Sequence, residues 1–98
     1  MDRGGNFMKA TKIKMKSGYE QSENLLEIEY IYLESYTQNG YYKKEIVYEL
    51  IKNQDRVIYV NEKPYPRLQV VLNGNREKYV CLKPNAYLRD NLLCLPRE

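Results

Sequence analysis

Residues 25–52 read LLEIEYIYLESYTQNGYYKKEIVYELIK, and a change of period inside this stretch decides the fold. In residues 25–36 Leu26, Ile28, Tyr30 and Tyr32 share one side; Glu27 and Glu29, then Ile31 and Leu33, share the other. Period two marks a strand, because successive side chains leave a pleated backbone on opposite faces. Thr37-Gln38-Asn39-Gly40 is a turn signal, strongest at Asn-Gly. After it Ile46, Val47, Leu50 and Ile51 fall at helical spacing, with Lys43, Lys44, Glu45, Glu49 and Lys52 on the wet side. The spacing predicts a helix over residues 43–52, with Asn53 as a left-handed cap. A helix this short has to dock on a sheet to be stable.

Working outward, residues 11–16 alternate between Thr11, Ile13, Met15 and Lys12, Lys14, Lys16. They predict a strand with one buried face. If it pairs with the strand after it, the lysine row meets Glu27 and Glu29. Ser17-Gly18 opens the polar connection between the two. On the other side of the helix, residues 56–60 are rich in β-branched residues and predict a further strand. Pro64 and Pro66 mark an extended loop. Residues 68–72 and 78–82 read as a hairpin joined through Asn73-Gly74-Asn75. An apolar tail follows, with Leu88, Leu92, Leu93 and Leu95 expected to fold back on the domain. The order β-β-α-β-β-β predicts an α+β domain: about five strands, mostly antiparallel, with one short helix on one face.

Ninety-eight residues suit a single domain, which buries only about two-thirds of the surface its unfolded chain exposes. Little room is left for an enclosed active site. The composition, 43% hydrophobic and 30% charged, is that of a globular chain. No apolar run is long enough for a membrane helix, and no secretory signal opens the chain. A cytoplasmic protein is expected, with Cys81 and Cys94 reduced and packed as small hydrophobes. Residues 1–8 are expected to be a flexible leader or tail ahead of a domain over residues 9–98. The run MDRGGNF before Met8 is encodable by a ribosome-binding-site-like sequence, which makes Met8 the expected initiator.

Histidine is absent, which removes histidine-based triads and general bases. Two cysteines alone cannot complete a tetrahedral zinc site within one chain. No phosphate-binding glycine loop is present. Glu27 and Glu29 are a carboxylate pair to weigh as a metal or hydrolytic site, with lysine partnership the favoured reading, and Glu45 and Glu49, four apart on the helix, are bordered by lysines. No enzymatic activity, cofactor or metal is expected.

Tyrosine is the outlying feature: 11 residues against one Phe and no Trp, more than so small a core can hide. Tyrosine gives large contact area at low entropic cost and is enriched at interfaces. The expected function is therefore a non-enzymatic module binding a protein partner, or a second copy, through Tyr30, Tyr32, Tyr36, Tyr41 and Tyr42. The alternative is a small nucleic-acid-binding domain in which Lys12, Lys14 and Lys16 track phosphates beside exposed tyrosines. The net charge of only +3 and the facing glutamates argue against it.

Residues 79–96 read YVCLKPNAYLRDNLLCLP. The ending Asp90-Asn91-Leu92-Leu93, then Leu95-Pro96, resembles the closing motif of the DUF3892-like family of short bacterial and phage proteins. Residues 45–51 stand where that family carries its helix, and Thr11-Lys12-Ile13 is similar to its opening strand. Residues 19–42 are longer and more aromatic than the family pattern, and Val80-Cys81 stands where the family tends to carry Leu-Arg. The resemblance covers about half the chain. It implies a compact domain often encoded in mobile elements, with no established activity. A phage-encoded inhibitor or regulator of a host protein is an analogy consistent with it.

Overall fold

The computed structural model describes residues 7–36, 38–61, 65, 67–72, 74–82 and 91–97. They form an α+β domain of six strands and one helix: β1 (Phe7–Met15), β2 (Ile28–Glu34), β3 (Asn39–Lys43), α1 (Lys44–Gln54), β4 (Val57–Val60), β5 (Gln69–Leu72) and β6 (Lys78–Cys81). Short 3-10 turns at Leu25–Glu27 and Asn91–Cys94 complete it. A mixed four-stranded sheet runs β3-β2-β1-β4, and β5 pairs with β6 in a separate antiparallel ribbon. Among the named strands the β1–β4 pairing is parallel and the others are antiparallel.

Two bulges set which side chains face the core. In the β1–β2 ladder Ala10 is opposite Leu33 and Lys12 opposite Tyr32, so Thr11 is the extra residue. Lys14 is opposite Tyr30 and Met15 opposite Ile28, so Glu29 is the second. A bulge reverses the facing of everything beyond it. Met8 and Ala10 therefore share the inner face with Ile13 and Met15, and Ile28 shares it with Ile31 and Leu33; all seven are buried. The expected continuous faces, Thr11 with Ile13 and Ile28 with Tyr30, are broken at these points.

β1 begins at Phe7, and Met8 is part of the core, so the ordered chain takes in two residues ahead of the boundary expected at residue 9. Parallel pairing of Phe7–Ala10 with Val57–Val60 holds them. The turn between β2 and β3 lies around Ser35 and Gln38. Ser35 Oγ donates to Gln38 O at 2.9 Å and accepts from the Gln38 N–H at 3.1 Å. Asn39-Gly40, expected within the turn, instead opens a strand, which brings the strands among the described residues to six.

α1 packs on the inner face of the sheet and against β5 and β6. It buries Val47 and Tyr48, and Leu50 and Ile51 partly, whereas Ile46, expected in the apolar stripe, is exposed. Its end is Asp55 rather than Asn53. Asp55 takes φ 52°, and the Arg56 N–H returns to Leu50 O at 3.0 Å, the closing bond of a left-handed cap. Leu68, Val80 and Leu82 from the ribbon side and Leu92, Leu93 and Leu95 from the tail complete one core. The tail lies alongside the outer half of β1, where the Ile13 N–H donates to Pro96 O at 2.9 Å. Leu88, Pro64, Pro66 and Asn73 lie outside the described residues, as does the Cys94 side chain.

Candidate binding face

Because α1, the ribbon and the tail cover one face of the four-stranded sheet, the side chains of the opposite face decide what the protein can touch. Among the described residues no element lies over that face. The β1–β2 register puts Lys12 opposite Tyr32 and Lys14 opposite Tyr30. In β3 Tyr41 is opposite Tyr32, and Lys43 opposite Tyr30. In β4 Tyr59 is opposite Lys9. Lysines and tyrosines thus alternate across four strands.

At the centre the rings interlock. Tyr32 and Tyr41 meet edge-to-face with centroids 4.8 Å apart, and Tyr30 meets Tyr41 similarly at 6.4 Å. Lys12 Nζ stands 4.6 Å above the Tyr32 centroid and 5.9 Å from that of Tyr41. Such cation–π contacts contribute about 0.5–1 kcal/mol at an exposed site and hold the ammonium without neutralising it. Tyr41 is the more open ring, at 36% exposure, while Tyr30 and Tyr32 are half-buried.

The expected facing of lysines and glutamates does not occur. The bulge at Glu29 puts Tyr30 rather than Glu29 opposite Lys14, and Tyr32 rather than Ile31 opposite Lys12. Glu27 lies in the 3-10 turn before β2, where it accepts a hydrogen bond from Ser22 Oγ at 3.2 Å, so the two glutamates do not share a strand face. Among the described residues no group of three Cys, Asp and Glu is placed to hold a metal. Glu34 is the one carboxylate in the pairings of the open face, opposite Lys9 and bonded by Thr11 Oγ1 at 3.4 Å.

Four further acids among the described residues pair away from this face. Glu77 pairs with Lys44 at 3.3 Å and with Lys16 at 3.8 Å, Glu45 with Lys44 at 3.2 Å, and Glu23 with Arg97 at 3.8 Å. Glu49 pairs with Lys78 and, by that hydrogen bond first and its charge second, raises the lysine above its ordinary value near 10.5. The modest net charge of +3 therefore hides a segregation. Among the described residues Lys9, Lys12, Lys14 and Lys43 have no carboxylate in ion-pair range.

Of the expected contact residues, Tyr30, Tyr32, Tyr41, Lys12 and Lys14 come together, uniting two surfaces that the sequence reading treated as rivals. Three do not join them. Tyr42 is on the core side of β3 and donates to Gln38 Oε1 at 3.1 Å. Lys16 leaves the row for Glu77. Tyr36, 91% exposed, stands at the β2–β3 turn.

Lys43, Tyr59 and Tyr65 are additions, and Lys9 extends the expected lysine row. Lys9 lies between two open depressions. One, of about 360 Å³, is lined by Lys9, Tyr59, Val60, Asn61 and Tyr65. The other, of about 340 Å³, is lined by Lys9, Glu34, Ser35 and Tyr36. The outward position of Tyr59 was legible in its alternation with Ile58 and Val60. Its meeting with Lys9 depends on the parallel pairing, which no local signal announces.

No family model, curated protein or solved structure matches the chain. Asp90, which opens the motif behind the family resemblance, lies outside the described residues.

Proposed function

We propose that this is a small, non-enzymatic, cytoplasmic binding module whose contact surface is the open face of the four-stranded sheet and whose partner is anionic there. The observation that carries the reading is the facing of Lys12 and Lys14 onto tyrosines. That facing leaves ammonium groups uncompensated beside aromatic rings. Kinship with the DUF3892-like proteins is part of the same proposal and rests on the sequence of the ending Asp90-Asn91-Leu92-Leu93 and Leu95-Pro96, with residues 45–51 and 11–13 beside it.

Heparin chromatography tests the face against net charge. The double variant Lys12→Glu/Lys14→Glu is expected to elute at much lower salt than the wild type. Lys52→Glu/Arg76→Glu changes net charge equally at exposed positions away from the face, and is expected to shift elution little. Equal shifts for both pairs would mean that bulk charge, not this face, governs binding.

A protein partner, or a second copy, is the second reading. It is favoured by Tyr36 beside the edge strand β3, which among the described residues pairs with β2 alone. An exposed strand edge is a template for another strand. A complex of that kind persists at high salt, where an electrostatic one dissociates.

A further inference from the structure

We infer that the partner of the open face is a single-stranded nucleic acid, its phosphates on Lys9, Lys12, Lys14 and Lys43 and a base stacked on Tyr41. The inference rests on the binding-face reading above and specifies its partner. Single-strand binders combine a basic track with aromatic rings on which successive bases stack. Both parts are present here and interleaved. Lys12 and Lys14 are two residues apart on one strand, about 6.8 Å by the strand rise, and Lys43 continues the row two strands away, past Tyr30.

Ring and ammonium are also coupled at the right scale. Tyr41 exposes its ring while Lys12 Nζ is 5.9 Å from its centroid, so a stacked base brings its own phosphate within reach of the lysine. The depressions on either side of Lys9, bordered by Tyr36 and by Tyr59 with Tyr65, extend the track to flanking nucleotides. Duplex is the poorer fit. Reading a groove requires a helix or ribbon that enters it, and among the described residues none projects from this face. An acidic peptide satisfies the lysines but has no flat π-system to lay on Tyr41.

Fluorescence anisotropy with labelled oligothymidylate and oligouridylate of about 15 nucleotides, a duplex of equal length, and heparin as competitor tests the inference. Single strands are expected to bind more tightly than duplex. Four engaged lysines predict a slope of about −3 in log K against log salt. Tyr41→Ala is expected to weaken single-strand binding about 5- to 150-fold, with Tyr41→Phe close to wild type. Circular dichroism of each variant establishes that it remains folded.

Duplex binding as tight as single-strand binding, or indifference to Tyr41→Ala alongside retained heparin binding, overturns the nucleic-acid assignment and leaves the anionic face standing. Failure to bind any polyanion at low salt overturns both.

Discussion

A chain cut after Asp90 is expected not to fold. The segment it loses contributes Leu92, Leu93 and Leu95 to the core, all buried, with Leu92 fully so. Truncating one buried leucine costs about 2–5 kcal/mol, so removing three costs about 6–15. A domain of this length has a total stability of only about 5–15 kcal/mol. The backbone adds to the loss. The N–H of fully buried Ile13 donates to Pro96 O, and stranding it costs about 1–3 kcal/mol more.

Arg97 closes the arrangement. Its Nη1 donates to Glu20 O at 3.0 Å and to Ser22 O at 2.8 Å, and its Nη2 to Leu93 O at 3.1 Å. One planar fork thus ties the tail to the β1–β2 connection, a geometry that lysine cannot reproduce. The truncated chain is expected to lack near-ultraviolet circular dichroism and a cooperative melt. A sharp transition within a few degrees of the full-length protein would show that the tail is dispensable.

That the tail returns to the core was legible in its leucines; where it returns was not. Leu92, Leu93 and Leu95 are apolar in any context, but their place beside β1 depends on β4 ending at Val60 and leaving Ile13 open. Strand alternation was equally legible within each stretch and misleading across it. Nothing local distinguishes Thr11 or Glu29 as bulged, because a bulge is a property of two strands in register. The same two residues decide the candidate site. With straight strands Lys14 meets Glu29 and Lys12 meets Ile31; with bulges they meet Tyr30 and Tyr32. β3 was hidden for another reason. Its five residues begin with Asn-Gly, a turn signal overridden here because Ser35 and Gln38 close the turn earlier, leaving Gly40 opposite Leu33.

Lys44→Ala is expected to destabilise the domain by about 2–4 kcal/mol, although the helical pattern puts Lys44 on the wet side. β3 runs into α1 without a loop, and Lys44, the first helical residue, is only 2% exposed. Its ammonium lies between Glu45 at 3.2 Å and Glu77 at 3.3 Å, joining the start of the helix to the chain that enters β6. Removing one partner of a buried ion pair costs about 3–5 kcal/mol, and the four-carbon stem adds packing. Both carboxylates are partly solvated and re-hydrate when the lysine is gone, which keeps the loss below that for a fully buried pair. Lys44→Met keeps the stem and should lose about half as much. Lys44→Glu puts three carboxylates together and should unfold the chain at neutral pH. At about 4–8 °C per kcal/mol, thermal melts resolve the series. A double-mutant cycle of Lys44→Met with Glu77→Gln isolates the ion pair, for which a coupling of at least about 0.5 kcal/mol is expected. If the two substitutions add without coupling, the link between helix and ribbon is made by packing alone, and the ammonium of Lys44 is only tolerated there.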